Sequence, residues 1–124
     1  MTVKWQAEAF KKRLMADLVA NARLAGKFVE EDARRRVLAI PDPEWGAGHR
    51  SYVARLLTSV VEQESKAVVI KVGLPPGRKT KSGQVTRHLG FYIEMGSRTA
   101  PAHPFLRPAV FQNGAKIVAL LAGR

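Results

Sequence analysis

The chain has no cysteine, which excludes disulfide staples, thiol nucleophiles and thiolate metal ligands together. It has no apolar run near the roughly 18 residues of a membrane-spanning helix. Acidic residues are scarce: 10 Asp and Glu stand against 21 Lys and Arg, for a formal net charge of +11. Beyond Glu64 the only acid is Glu94, so paired carboxylates for acid–base catalysis have no source there. A carboxylate alone among Arg87, Arg98 and Arg107 reads as a structural partner for an arginine. Histidines 49, 88 and 103 are isolated and fall in loops or at loop edges; none has a partner at the four-residue spacing of zinc proteases. The stretch GLPPGRKTKSG imitates a phosphate loop but lacks its construction. Three residues separate Gly73 from Gly77 instead of four, two prolines remove amide donors, and no helix is expected to follow. Catalytic residues, cofactor ligands and metal ligands are therefore all expected to be none, and the chain is not expected to be an enzyme.

What is present suits one folded domain spanning residues 1–124. Hydrophobic residues make up 46% and charged residues 25%, an ordinary balance for a globular chain. The opening MTVKWQAEAFKKR lacks the apolar centre of a signal peptide, so residence in the cytoplasm of synthesis is expected. The basic excess is uneven. Residues 1–39 carry nine basic and five acidic groups, residues 40–77 four of each, and residues 78–108 six and one. Arg78, Lys79, Lys81 and Arg87 form an unopposed basic loop suited to an anionic partner. Such a loop can contact phosphates without reading sequence. It lacks the interleaved aromatics that stack on bases.

Periodicity supplies the elements. Phe10, Leu14, Leu18, Ala22, Ala25, Val29, Ala33 and Val37 recur every three or four residues, predicting a helix from about Trp5 to Ala39. Gly26 is a place for it to break or kink, and the run Glu30, Glu31, Asp32 is expected on its solvated faces. A helix on the order of 50 Å long outreaches so small a domain, so either it bends or a neighbouring subunit covers part of the stripe. Pro41 and Pro43 stop it, and PDPEWGAGHR reads as a loop. Tyr52–Glu62 and Ala67–Val72 predict a hairpin. Residues 73–88 read as a long polar loop. Alternation of Leu89, Phe91, Ile93 and Met95 predicts a third strand, and Pro108 begins a final helix that Asn113-Gly114 interrupts. The expected fold class is α+β: a long N-terminal helix, a small antiparallel sheet of about 3–4 strands, and a C-terminal helix packed on the sheet.

The stretch GFYIEMGSRTAPAHPFLRPAVF resembles the signature of the tail-completion or neck proteins of long, non-contractile-tailed phages, the relatives of the lambda-like minor tail protein Z. That pattern is a strand ending Tyr-x-x-Glu-x-Gly-Thr, a short loop, then Pro-Phe-Leu-Arg-Pro-Ala opening the last helix. It maps onto Tyr92, Glu94, Gly96, Ser97, Pro104, Phe105, Leu106, Arg107, Pro108 and Ala109. Ser97 stands for the usual threonine, Met95 for a frequent aromatic, and Glu44-Trp45-Gly46 where Asp-Thr-Gly is common. The resemblance implies a structural virion protein of the head–tail junction, at the neck or top of the tail and in the host cytoplasm during assembly. It implies a homo-oligomeric ring, expected six-fold, with a tail terminator, head–tail connector or stopper as partners, and no membrane. As a structural signature, Glu94, Gly96, Pro104, Phe105, Leu106, Arg107 and Pro108 would clamp strand to helix, with Phe105 and Leu106 buried and Arg107 on Glu94. The alternative is a small basic nucleic-acid-binding protein making sequence-independent phosphate contacts.

Overall fold

The first helix sets the frame for everything else. In the computed structural model α1 runs unbroken over Val3–Leu38, 36 residues or about 54 Å. The structure describes residues 3–40, 47–65, 67–75, 77, 86–96 and 101–124, with backbone alone for 3–10, 47–49, 86–89 and 92. After α1 come α2 (Ala47–Leu56), β1 (Thr58–Gln63), β2 (Val68–Gly73), α3 (Thr86–Met95), α4 (Leu106–Phe111) and α5 (Gly114–Leu121). The class is α+β, with the long helix first and helices closing the chain. Helices α2, α4 and α5 and both strands pack against α1, while α3 leans on α2.

Among the described residues, the helical stripe is buried only in its C-terminal part. Ala22, Ala25, Val29, Ala33 and Val37 are buried, and around them gather Ile40, Val53, Leu57, Ile93, Phe105 and Ala109. From Lys11 to Asn21 no residue is buried, and Leu14 is 51% exposed. Gly26 does not break the helix. A Cβ at that position would stand 3.0 Å from Ile70 Cγ2 and 3.2 Å from Ser59 Cβ. The missing side chain lets the hairpin lie directly on the helix, a contact set against the roughly 1 kcal/mol glycine costs in a helix.

Strands β1 and β2 pair antiparallel, from Thr58 opposite Gly73 to Gln63 opposite Val68. Glu64 N donates to Ala67 O at 2.8 Å across the connecting turn. Lys71 and Glu62 pair at 3.0 Å on the outer side. The expected hairpin is present, but its first strand begins at Thr58; residues 52–56, expected as strand, finish helix α2. The turn chemistry expected through Arg50 likewise yields to helix from Ala47, while residues 41–46 lie outside the described residues.

The expected third strand is helix α3, so among the described residues the sheet has two strands, not three or four. Alternation at 89, 91, 93 and 95 fits either period over so short a run. Burial decides it: Gly90, Ile93 and Glu94 face inward while Phe91 and Met95 face out, a spacing of three and four. Helix therefore begins at Thr86, inside the stretch expected as loop, and His49 and His88 sit in helices α2 and α3 rather than loops. The final helix is two helices, parted at Gln112 and Asn113, where the Asn-Gly pair breaks the pattern. It starts at Leu106, two residues before Pro108. Both pieces lie on α1, and Ile117 joins the core beside Val72.

Two of the three acids expected on a solvated face are inside. Glu30 and Asp32 are buried, and Glu31 alone is exposed. Glu30 holds Lys27 at 2.9 Å and Arg34 at 3.2 Å. Arg34 then donates to Ala54 O at 2.8 Å and Leu57 O at 3.1 Å, closing the end of α2. Arg50 of α2 returns the favour to Leu38 O and Ile40 O at the end of α1. Each helix thus ends on an arginine from the other, satisfying carbonyls that a helix C-terminus leaves open. Asp32 takes Arg35, Arg36 at 2.9 Å, and Asn113 Nδ2 at 2.9 Å, fixing the α4–α5 joint to α1. Burial raises the Glu30 and Asp32 carboxyls, but these donors more than offset it and hold both below their ordinary values.

Candidate functional site: the Glu94 clamp

The stretch with the unusual sequence folds into a joint between two helices. Helix α3 ends at Met95, and Gly96 follows at φ +85°, a left-handed backbone that glycine adopts without penalty. A Cβ there would also meet Ala102 N at 3.0 Å. The chain returns so that His103 N donates to Ile93 O at 2.8 Å, and Phe105 becomes the N-cap of α4.

Phe105 brings no capping side chain. Glu94 does that work from eleven residues earlier in the chain. Its Oε2 accepts the N–H of Phe105 at 2.7 Å and of Leu106 at 3.0 Å, and its Oε1 accepts the N–H of Arg107 at 3.0 Å. The first four amides of a helix have no partner inside it. Glu94 takes three of them here, and the fourth residue is Pro108, which has no N–H. Every orphan donor of α4 is thereby accounted for. Arg107 completes the exchange: its Nε donates to Glu94 Oε1 at 3.0 Å, and its guanidinium donates to Glu94 O at 3.2 Å. An anion sits at the start of α4 and a cation at the end of α3, each where the helix dipole favours it. Burial raises the Glu94 carboxyl, yet the three amides and Arg107 outweigh it, so it lies below the ordinary glutamate value.

Phe105 is fully buried, Leu106 partly so, and Pro104 and Arg107 are exposed. The expected Arg107–Glu94 pair is present. What the sequence reading missed is that the backbone amides of residues 105–107 carry the carboxylate more than the arginine does. A lone acid aligned with a Pro-x-x-x-Pro helix start was the available signal. Tyr92 is described in backbone only, and Ser97 and Arg98 lie outside the described residues. So do Arg78, Lys79 and Lys81 of the basic loop; Arg87 falls in the first turn of α3, with only its backbone described. Among the described residues, no three His, Asp or Glu side chains group closely enough for a metal ion, and no helix is long and apolar enough to cross a membrane. No family model, curated protein or solved structure matches the chain.

Proposed function

We propose that this chain is a structural virion protein of the phage head–tail junction, a tail-completion or neck protein that assembles at the top of the tail and helps join it to the head. One observation carries the reading. Five residues of the stretch that resembles the family signature build the Glu94 clamp, each with a physical task that suits its residue type. Glu94 binds amides, Gly96 takes a positive φ, Phe105 fills the core, Arg107 returns to Glu94, and Pro108 occupies the position with no amide to satisfy. A stiff joint of this kind presents surfaces at a fixed angle, as an assembly component requires. The unburied stretch of α1 from Lys11 to Asn21, with Leu14 half exposed, supports contact with further copies in a ring. Neck and tail proteins such as a terminator, connector or stopper are the partners in this reading.

The test is electron microscopy of particles carrying a gold-labelled version of this chain, together with the purified protein across concentration. Label at the tail top and protein rings support the proposal; label elsewhere, or particles whose copies never touch, overturns it. The net charge of +11 favours a second reading, a nucleic-acid-binding protein acting through phosphate contacts. Tight DNA binding that collapses steeply with salt, without rings, selects that reading instead.

A further inference from the structure

The hairpin offers one unguarded strand edge, and that edge opens on an apolar cleft. Glu64 N donates to Ala67 O across the turn, and the register continues from there without a bulge to Thr58 opposite Gly73. Bonded and non-bonded pairs alternate along an antiparallel ladder, so Val69, Lys71 and Gly73 bond to β1. The N–H and C=O groups of Val68, Ile70 and Val72 therefore point the other way. None of these backbone groups has a partner among the described residues. Edge strands are ordinarily guarded by charge, proline or bulges. Here β2 contains no proline, and its one charge, Lys71, is held by Glu62 on the outer side. The cleft beside the edge encloses about 420 Å³ and is lined, among the described residues, by none from β1. Ile70 and Val72 form one wall, Val110 of α4 and Ile117 of α5 the other, and α1 closes the bottom at Ala25 and Val29. Ile70 is seated against Gly26, so the edge is held on α1 before anything binds. We infer that this edge takes up an extended segment of another protein, paired to β2 as a third strand and carrying apolar residues at alternate positions.

The edge and the walls together select the occupant. A row of backbone donors and acceptors at strand spacing is matched by another extended chain, which returns N–H for C=O along its length. A helix spends those groups internally and has none to return. The apolar walls then select every second side chain, because alternate residues of a strand point to one face. A second copy of this chain is the wrong shape. Its described strands come as a hairpin, so either one laid on this edge would carry the other into α4 and α5. The occupant is therefore a single extended segment. Contact between copies stays with α1 from Lys11 to Asn21, which lies outside the cleft.

The inference goes beyond the neck reading, and its test needs no particles. A displayed library of random peptides is selected against the full chain, and the enriched peptides are measured by fluorescence anisotropy. The expected result is enrichment of peptides with apolar residues at every second position. N-methylation then reads the pairing with the protein unaltered, because only alternate amides of the bound peptide reach β2. Methylating that set should weaken binding about tenfold or more, and methylating the other set should not. On the protein, Val110→Lys places a charge in the cleft from a position that is 40% exposed. Val68→Pro removes an edge N–H at the first residue of β2, where a strand tolerates proline. Each variant should weaken binding about tenfold or more, with melting curves that match the parent. If either proves unstable, the methylation pattern alone decides. No enrichment, enriched peptides with apolar residues three and four apart, or binding indifferent to the methylation pattern overturns the inference. So does self-association of the chain that is lost in Val110→Lys when no peptide is enriched, since the occupant would then be a second copy. Rings without peptide binding would sink the strand site and spare the neck reading; peptide binding by a chain absent from the tail top would do the reverse.

Discussion

Replacing Glu94 by glutamine isolates the joint's main interaction while keeping the side chain's size. In the native clamp one oxygen accepts the amides of Phe105 and Leu106, and the other accepts the amide and Nε of Arg107. Glutamine turns one of those oxygens into an NH₂ group. Whichever way the amide is oriented, it points hydrogens at two donors and leaves them unpaired. A buried donor left unpaired costs about 1–3 kcal/mol, so Glu94→Gln should lose about 2–5 kcal/mol. Arg107 is different. Its side chain is half exposed, where an ion pair is worth at most about 1 kcal/mol. Arg107→Met, which keeps the aliphatic stem, should therefore cost about 1 kcal/mol. Thermal and urea melts followed by far-UV circular dichroism separate the two. Glu94→Gln should fall by roughly 10 °C or more and Arg107→Met by about 5 °C or less. Equal losses in the two variants would mean that the ion pair, not the amides, holds the joint. A Glu94→Gln protein within about 0.5 kcal/mol of the parent would refute the capping argument altogether.

The remaining expectations concern pH, the core and the α1–hairpin contact. Glu94, Glu30 and Asp32 are all depressed in the folded state, so their stabilisation is full above the unfolded carboxylate range, about pH 4, and is lost as pH falls through the lower folded values. The urea midpoint should hold from about pH 7 to 5 and drop below about 4, less steeply in Glu94→Gln; a midpoint flat into that acid range would count against these bonds. Phe105→Ala should cost about 3–5 kcal/mol, giving poorly folded protein by the same melts; an unchanged melting temperature would contradict its burial. Gly26→Leu should cost about 1–3 kcal/mol by overpacking against Ile70 and Ser59, and Gly26→Ala should be near neutral, with helix propensity gained against a few tenths of an ångström of crowding. Parent-like stability in Gly26→Leu would show that the hairpin does not need the glycine.

The parts of the fold legible in the sequence were those whose pattern ran long enough to separate one period from another. The α1 stripe repeats over eight apolar positions, and its later members are the ones buried. The hairpin was marked by β-branched residues on both sides of a polar turn, and its pairing follows. Residues 89–95 were too short a run: alternation and helical spacing share Ile93, and only the inward-facing Gly90 and Glu94 reveal the helix. Gly26 carried an intrinsic helix penalty that pointed to a break, but the approach of Ile70 and Ser59 is a tertiary reason no local pattern contains. Glu30 and Asp32 misled in the same way. Their burial depends on Arg34 bridging to α2 and Asn113 arriving from the far end of the chain.

The clamp was legible in its membership but not in its construction, because residue types name partners and not which atoms meet. Glu94 and Arg107 could be paired from charge alone. That the carboxylate would also take three consecutive amides depends on α3 being a helix, which sets Glu94 on its inner face next to Ile93. The same turn of α3 settles what Phe105 does. Packed with Ile93, Val37 and Ala109, it is wholly removed from solvent and has no face left to offer another protein. Among the described residues, the exposed aromatics include Phe91 and Phe111, the latter 79% exposed. Glu94 and Phe105 therefore hold the two helices together at the joint, and Phe91, on the outer side of α3, stays exposed beside them.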